Sequence, residues 1–305
     1  MILCAGEALI DMLPRETAAG EAAFAPHAGG AVFNTAIALG RLGAPVQFYS
    51  GISSDFFGEV LVDALVASKV DASPAHRSDA PSTLAFVKLV DGQATYLFYD
   101  ENTAGRMLTE AQLPDVTADA YFFGGISLAV EPCASTYAAF QAKVVAAEKV
   151  TMIDPNVRPG FIKDADVYRS RITTMISASD IVKLSDEDLE WFMPEGDTLS
   201  NAQHILNQGV KLLCITEGSK GITAYTATRR LFVPAEKAEV VDTVGAGDTF
   251  NAGVLASLHA AGALTKDAVA TLSDDTIKEA LTLGAKAAAM TVSRAGANPP
   301  WAKEL

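Results

Sequence analysis

The chain has 305 residues, a formal net charge of −14 at pH 7, and a composition that is 50% hydrophobic and 20% charged. So large an apolar fraction excludes intrinsic disorder, and the length is sufficient to bury one large core or two. The negative charge argues against nucleic acids and anionic membrane surfaces as partners, because both would repel the chain.

Signals for export or membrane insertion are missing from the sequence. Glu7 and Asp11 interrupt the N-terminal apolar run, which argues against a signal peptide, and no apolar stretch is long enough to span a bilayer. The cysteines Cys4, Cys133 and Cys214 are isolated, without CxxC spacing. We therefore expect a cytoplasmic protein with reduced, buried cysteines.

The first predicted strand is the apolar run over residues 2–10, which ends at Asp11. Further on, Gly29-Gly30 precedes a predicted helix over residues 31–42, with Asn34 about one turn inside it. Carboxyl ends of strands in an α/β sheet face the ligand crevice, so Asp11 is suited to accept hydrogen bonds from sugar hydroxyls. The glycines let a ligand approach the backbone, and the Asn34 amide both donates and accepts. A solvated strand end and a buried structural amide are the alternatives.

A strand over residues 46–50 is followed by a region with hairpin signals. Residues 83–90 and 94–99 are strand-like and flank Asp91-Gly92, a typical hairpin turn. With the segment from 12 to 26 they predict a small β-sheet, about residues 12–28 and 82–104, that closes as a lid over the crevice. A simple extra sheet edge is the alternative. An open lid edge also favours a homodimer through this sheet.

Beyond the hairpin, short apolar runs alternate with helical spacing. This alternation predicts a three-layer αβα, Rossmann-like fold with a mostly parallel central sheet, in a single domain over residues 1–305. The predicted strands cover residues 120–123, 150–153, 180–184 and 211–216.

The late segment from Asp242 to Phe250 combines an acid with a glycine turn. Residues 238–241 before it are predicted to form a short strand, and residues 249–261 an alanine-rich helix. Its glycines therefore lie on the turn between the two. Backbone N–H groups of such a turn, with the helix dipole, bind anions such as phosphate. Asp248 would stay ionised near neutral pH in that field and could deprotonate a hydroxyl. A helix cap and an ordinary turn are the alternative, and the segment matches neither standard glycine fingerprint.

Ala28-Gly29-Gly30 with Asn34, and the segment from Asp242 to Phe250, together resemble the two signatures of the ribokinase-like carbohydrate kinases, the PfkB family. Their order and separation fit, so the resemblance covers nearly the whole chain. It implies a ribokinase-like fold and transfer of the γ-phosphate of ATP, with Mg²⁺, to a sugar hydroxyl. The implied site residues are Asp248 as catalytic base, Gly245, Ala246 and Gly247 as anion hole, and Asp11, Gly29, Gly30 and Asn34 as sugar ligands.

Three further segments resemble the nucleotide half of the family. The loop from Thr216 to Gly221 is similar to the family loop beside the ATP phosphates and ribose, and an ordinary turn is the alternative. Residues 185–188 stand where ribokinases carry Asn-x-x-Glu, so Asp188 is assigned to Mg²⁺ through water, with a helix cap as the alternative. Asp242 resembles a position that holds a monovalent cation, such as K⁺. The cofactor residues implied in this way are Lys183, Thr216, Gly218, Gly221, Gly245 and Gly247.

The acceptor is predicted from two other segments. Residues 154–159 resemble a stretch shared by fructokinases and 2-keto-3-deoxygluconate kinases, in which Arg158 suits a phosphate or a carboxylate; a salt bridge is the alternative. In the sugar-acid kinases an arginine follows the paired aromatics of the lid, where this chain has Asp100. A carboxylate there repels a sugar acid and favours a neutral hexose. Tyr99 and Arg106 are predicted lid contacts to the sugar, although strand aromatics more often only pack.

The resemblance therefore implies an ATP-dependent kinase that phosphorylates the primary hydroxyl of D-fructose to give fructose 6-phosphate. Alternative acceptors are 2-keto-3-deoxygluconate, ribose and a nucleoside. A more distant alternative is a sugar-sensing binding protein without catalysis, against which the retained Asp248 and turn glycines argue.

Overall fold

The computed structural model of the chain describes residues 1–90 and 93–305, with side chains described outside 88–96. Its strands are β1 (Ile2–Ala5), β2 (Leu9–Glu16), β3 (Ala22–Gly29), β4 (Val46–Tyr49), β5 (Gly51–Ser53), β6 (Val70–Asp71), β7 (His76–Ser78), β8 (Leu84–Val90), β9 (Gln93–Tyr99), β10 (Ala120–Gly124), β11 (Val150–Asp154), β12 (Ile181–Ser185), β13 (Leu212–Thr216), β14 (Gly221–Tyr225) and β15 (Arg230–Pro234). Its α-helices are α1 (Ala31–Arg41), α2 (Phe56–Ala67), α3 (Cys133–Ala146), α4 (Ala165–Ser177), α5 (Asp186–Phe192), α6 (Thr198–Asn207), α7 (Ala246–Ala260), α8 (Lys266–Ala270) and α9 (Asp274–Val292).

In the described part of the chain, nine strands form the main sheet, in the order β15-β14-β13-β12-β11-β10-β1-β4-β6. The strands from β13 to β6 are parallel, whereas β14 and β15 form an antiparallel edge. Successive side chains of a strand face opposite sides. Thus Ile2 and Cys4 pack with α1, α2, α7 and α9, while Leu3 and Ala5 pack with α3, α4 and α6. The predicted three-layer αβα architecture is confirmed.

The strand order locates a crevice at the carboxyl edge of the main sheet. From β1 the chain proceeds to β4 and β6 on one side, whereas β10 to β13 extend the sheet on the other side. The order therefore reverses between β1 and β10, and in open α/β sheets ligands bind beside such a reversal.

A second sheet, which we call the small sheet, contains β3-β2-β8-β9. Strands β2 and β8 are parallel, and the other pairs are antiparallel. Its strands come from the segments that were predicted to form a lid. The predicted hairpin turn at Asp91-Gly92 lies outside the described residues.

The prediction of one strand over residues 2–10 is wrong. The chain leaves the main sheet at Ala5 and enters the small sheet at Leu9, so Asp11 lies within β2. Gly6 packs so closely on Val32 that a Cβ at this position would lie 2.4 Å from its side chain. Both sides of the break are apolar and buried, so hydropathy does not show it.

The prediction of a strand over residues 238–241 is also wrong. Strand β15 ends at Pro234, and the N–H groups of Val241 and Asp242 both donate to the carbonyl of Val292, the last residue of α9. Helix α7 begins at Ala246, earlier than predicted, which places Asp248 in its first turn.

Two general expectations concern the environment of the chain. Cys4, Cys133 and Cys214, which all belong to the described part, are buried and free of disulfides. Across residues 1–90 and 93–305, none of the helices is both long and apolar enough to cross a membrane.

Candidate active site

A cleft of about 260 Å³ opens at the carboxyl edge of the main sheet, where the strand order reverses. The chain reaches it from both ends, and the small sheet contributes to its wall. Its lining residues are Glu7, Leu9, Asp11, Gly30, Ala31, Asn34, Phe98, Ile126, Asn156, Arg158, Thr243, Val244, Gly245, Ala246, Gly247 and Asp248. We refer to it as the sugar cleft, from the ligand that the sequence predicts.

The two predicted motifs meet at the floor of this cleft. Asn34 Nδ2 in α1 donates a hydrogen bond to Asp248 Oδ2 in α7 at 2.9 Å, although 214 positions separate the two residues. Thr35 Oγ1 donates to the Asp248 carbonyl oxygen at 3.2 Å. The first turns of α1 and α7 therefore present an amide and a carboxylate to the same space.

The turn before α7 has a conformation that requires glycine. Gly245 has φ +79°, and a Cβ there would lie 2.7 Å from the Ala297 side chain. A Cβ at Gly247 would lie 3.2 Å from Lys183 Nζ. The first N–H groups of a helix have no partners within the helix, so they can bind an anion in the cleft. The Ala246 N–H also donates a long hydrogen bond, of 3.4 Å, to the Thr243 carbonyl.

Burial dominates the electrostatics of Asp248. Its side chain is 7% exposed, and desolvation raises its pKa to about 7, against the opposing effect of the Asn34 hydrogen bond. Nearby Asp154 raises the pKa further, while Arg158 and Lys183 lower it. With a pKa of about 7, Asp248 is only partly ionised near neutral pH, which is less than the sequence predicted, because burial removes its hydration.

Asp11 occupies a similar environment on the opposite wall. Burial raises its pKa to about 7. A Cβ at Gly29 would lie 2.2 Å from Asp11 Oδ2, so the first glycine makes room for this carboxylate. Gly30, with φ +111°, lines the cleft itself.

A second cleft, of about 300 Å³, adjoins the first and shares Asn156 and Arg158 with it. We refer to it as the phosphate cleft. Its other lining residues are Val157, Pro159, Lys183, Ser185, Glu187, Asp188 and Trp191. Arg158 is exposed, and its guanidinium donates to the Val157 carbonyl at 2.9 Å. The alternative of a salt bridge is not seen among the described residues.

A buried polar cluster lies beneath the glycine turn. Lys183 Nζ is 3.0 Å from Asp154 Oδ2, and Asn251 Nδ2 donates to the same oxygen at 2.7 Å. Lys183 also lines the phosphate cleft. Its ammonium group lies next to Gly247, and Asp154 compensates its charge.

Asp188 caps α5 and also faces the phosphate cleft. Its carboxylate accepts hydrogen bonds from the N–H groups of Val157, at 3.0 Å, and Ser185, at 3.1 Å. The helix-cap interpretation is therefore correct, although the residue is buried at a cleft rather than on the surface. Within the described residues no cluster of three or more Asp, Glu, His or Cys could coordinate a metal directly.

The relationship to known proteins is clear from both sequence and structure. The family model described as pfkB family carbohydrate kinase matches residues 1–304. The chain belongs to this family. A fructokinase from Rhizobium leguminosarum bv. trifolii is 57% identical over 91% of this chain and 86% of its own length. Probable fructokinase-7 from Arabidopsis thaliana is 32% identical over 98% of this chain and 89% of its own.

Solved structures of fructokinases are also similar to this chain. The fructokinase with bound ATP from Xylella fastidiosa has a TM-score of 0.90 and 30% identity, covering 97% of this chain and 93% of that chain. The ribokinase-like fold predicted for this PfkB kinase is therefore confirmed.

Several predicted site residues of the kinase lie outside the two clefts. Tyr99 is 56% exposed on the face of the small sheet opposite to Phe98, which lines the sugar cleft instead. The face was misassigned because successive strand residues alternate and sequence does not fix which of two aromatics points inward. Thr216, Gly218 and Gly221 lie at or just after the carboxyl end of β13, at the same sheet edge as Ser185, but line neither cleft.

Arg106 is held away from the sugar cleft of the kinase. Its guanidinium forms a 3.1 Å ion pair with Asp100 and donates to the Glu131 carbonyl at 3.0 Å. Asp100 is itself buried, and its charge is compensated by Arg106. Exclusion of a sugar acid by the bare charge of Asp100 is therefore weaker than the sequence suggested.

Sequence reasoning missed four contributors to the site. Glu7 and Phe98 line the sugar cleft, while Asp154 pairs with Lys183 below the turn and Asn251 donates to Asp154. Asp154 and Asn251 were detectable as polar residues in segments already singled out. Neither carries a signal for the cluster with Lys183, because the contacts of Asp154 with Lys183 and Asn251 depend on the tertiary fold.

Proposed function

We propose that this PfkB kinase is an ATP-dependent fructokinase that converts D-fructose to fructose 6-phosphate. The observation that carries the proposal is the meeting of Asn34 and Asp248 at 2.9 Å in a cleft lined by Asp11 and the glycine turn. The relative that is 57% identical is a fructokinase, and the similar Xylella fastidiosa fructokinase was solved with ATP.

The cleft supplies the groups that phosphoryl transfer requires. Asp248 accepts the proton of the primary hydroxyl, and the hydroxyl oxygen attacks the γ-phosphorus in line. A base of modest strength suffices, because in a loose transition state the proton is lost late. N–H groups at Gly245, Ala246 and Gly247 stabilise the charge on the phosphoryl oxygens. Asp11, Gly30 and Asn34 bind the sugar, while Gly29 leaves room for Asp11.

ATP would place its phosphates in the phosphate cleft, with Lys183 and Arg158 nearby. Thr216, Gly218 and Gly221 would border the nucleotide at the same sheet edge. Glu187 and Asp188 suit Mg²⁺ held through water, because Mg²⁺ keeps several waters and Asp188 already accepts two backbone hydrogen bonds. Bound Mg²⁺ would neutralise charge on the phosphates.

Asp242 is the proposed residue for a monovalent cation such as K⁺. Its carboxylate accepts hydrogen bonds from Val244 N–H at 3.0 Å and Gly296 N–H at 2.9 Å. It thereby joins the glycine turn to the loop after α9. A cation beside Asp242 would act on catalysis through the position of the turn.

The small sheet, about residues 12–28 and 82–104, is the proposed lid of the single domain. Its inward face carries Asp11 and Phe98. Closure over the sugar would exclude water, which competes with fructose as phosphoryl acceptor.

The outer face of the lid is the proposed homodimer surface. Phe24 and Tyr99 each pack edge-to-face on Phe86, and both remain about half exposed. A second copy would remove this apolar group from water.

The three free cysteines are consistent with a reducing compartment, and we assign the kinase to the cytoplasm.

A coupled assay of ADP release tests the proposed function. We expect the highest kcat/KM for fructose among fructose, 2-keto-3-deoxygluconate, ribose and adenosine. The most informative alternative acceptor is the sugar acid 2-keto-3-deoxygluconate. Because the ion pair with Arg106 compensates the charge of Asp100, that charge alone does not exclude a sugar acid. A preference for another acceptor would contradict the assignment. Tight fructose binding in calorimetry without ADP release would indicate a sugar sensor instead.

A further inference from the structure

Glu7 is a buried carboxylate to which the proposed reaction gives no role. It follows β1 at the reversal of strand order, and its residue is 8% exposed. Its oxygens accept hydrogen bonds from the N–H groups of Ala31, at 2.9 Å, and Ser127, at 3.4 Å. Ala31 is the first residue of α1, and Ser127 lies in the 3₁₀ helix that follows β10. One carboxylate thus connects both sides of the crevice.

The backbone on both sides is shaped around this side chain. A Cβ at Gly125 would lie 2.0 Å from Glu7 Oε1, and a Cβ at Gly30 would lie 3.0 Å from the Glu7 carbonyl oxygen. Both glycines have positive φ, a conformation that other residues rarely adopt. Burial of an acid is unfavourable in itself, so the carboxylate remains only because its hydrogen bonds compensate.

The segments that Glu7 connects are the walls of the sugar cleft. Asn34, which holds Asp248, lies one turn beyond Ala31 in α1. Ile126 lines the opposite side beside Ser127, and Asp11 follows Glu7 in the chain. A shift of α1 relative to β10 would therefore move Asn34, and Asp248 with it, relative to the bound sugar.

We propose that Glu7 is a positioning residue for phosphoryl transfer, which fixes the start of α1 so that Asn34 aims Asp248 at the sugar hydroxyl. The inference rests on the proposed function, because it concerns the same site. Glu7 does not take the proton, and its effect reaches the reaction through Asn34.

Two substitutions test this role. Glu7→Gln keeps the size of the side chain but sets an amide N–H₂ group against a backbone N–H group. We expect kcat for fructose to fall at least about tenfold, and about 100-fold in Glu7→Ala, with the KM for ATP changed less than about twofold. Should Glu7→Ala fail to fold, Glu7→Gln decides the question.

Asp180→Asn is the matched control. Asp180 is also a buried carboxylate, and it accepts a hydrogen bond from Thr151 N–H at 2.8 Å, but it precedes β12 at the opposite edge of the sheet. This variant should lose stability and keep its kcat. If the Glu7 variants behave in the same way, Glu7 only supports the fold and the proposal is overturned.

A double-mutant cycle tests the route of the effect. In an Asn34→Ala background, Glu7→Gln should lower kcat by less than about threefold, because the residue through which it acts is gone. Independent, multiplicative effects of the two substitutions would also overturn the proposal. Failure of the unmodified kinase to phosphorylate fructose would contradict the proposed function instead, and the cycle would then be measured with the acceptor that the panel identifies.

Discussion

Asp248 combines two properties that a phosphoryl-transfer base needs, namely contact with the acceptor site and a pKa near physiological pH. The side chain obtains both from burial at the start of α7, since burial raises its pKa to about 7. The Asn34 amide holds one oxygen and leaves the other available to a hydroxyl.

The Asp248→Asn substitution should separate binding from chemistry. The amide keeps the shape of the side chain but cannot accept a proton, so turnover should fall at least about 100-fold. Calorimetry should show fructose and ATP binding nearly as in the unmodified kinase. Asp63→Asn, which changes an exposed acid on α2, serves as the control and should retain full turnover. Near-normal turnover of Asp248→Asn would remove Asp248 from the role of base.

The pH dependence of activity follows from the same residue. Only the ionised form of Asp248 accepts a proton, so kcat/KM for fructose should rise with pH through about 7 and level off above it. Asp11 titrates in the same range but does not take the proton. The step in a pH–rate profile should therefore persist in the residual activity of Asp11→Asn and disappear in that of Asp248→Asn.

Stability should depend on pH in the opposite sense. The pKa of Asp248 is raised above its unfolded value of 3.8, so the folded chain retains the proton longer than the unfolded chain. Its favourable contribution is present at low pH and is lost as pH rises towards about 7. Asp248→Asn should therefore melt at a higher temperature than the unmodified kinase at about pH 8, with a smaller difference at about pH 5. Thermal melts at both pH values test this, and a constant difference would contradict it.

At the scale of the element, the turn before α7 depends on the loop that follows α9. Gly245 packs closely on Ala297, which leaves no room for a Cβ at position 245. Asp242 accepts a hydrogen bond from Gly296 N–H. The N–H groups that we propose to bind the phosphoryl oxygens are thus held by a tertiary contact in addition to their own turn.

Gly245→Ala should damage this element severely. The added Cβ would lie 2.7 Å from the Ala297 side chain, at a φ of +79° that alanine rarely adopts. We expect at least about a 100-fold loss of kcat, because displaced N–H groups no longer stabilise the phosphoryl oxygens. Gly160→Ala is the control, since nothing lies within 4 Å of a Cβ there. Equal activities of the two variants would contradict the anion-hole assignment.

Elements buried on both faces were the most predictable from sequence. Strands such as β11 and β13 are continuous apolar runs, and their predicted bounds differ from the observed ones by about one residue. The passage from β1 to β2 was not predictable, because Leu9 and Ile10 are as apolar and buried as Ile2 and Leu3. Hydropathy indicates that a residue is buried, but it does not indicate to which of the two sheets the residue belongs.

Site residues followed a similar rule. Asn34 beside Gly30, and Asp248 beside Gly245 and Gly247, were predictable because short spacings determine the local geometry of each motif. Burial is a property of the whole fold, so the raised pKa of Asp248 was not predictable. For the same reason, the ion pair that withdraws Arg106 and the contacts of Glu7 became visible only in three dimensions.

At the scale of the whole molecule, the small sheet, which is the proposed lid, lies between the sugar cleft and the proposed dimer surface. Its strands carry the cleft-lining Phe98 on one face and the exposed Phe24 and Tyr99 on the other. Contact with a second copy would therefore fall on the back of the element that closes over the sugar.

Phe24→Glu should shift the kinase from dimer to monomer. A charge on this face would have to be desolvated in the interface, which is unfavourable. Phe232→Glu is the matched control, because Phe232 is equally exposed but lies on the edge strand β15 of the main sheet. Sedimentation velocity over a concentration series distinguishes the outcomes. A monomeric unmodified protein, or an unchanged dimer in Phe24→Glu, would contradict the proposed surface.

The pairing of Asn34 with Asp248 has a consequence for biosynthesis. The two partners lie 214 positions apart, and α7 follows every strand of the main sheet in the described part of the chain. A nascent chain that has already folded its first strands still lacks the base and the phosphate-binding turn. If Asp248 is the base as proposed, we expect such a chain not to hydrolyse ATP during synthesis until α7 docks on α1.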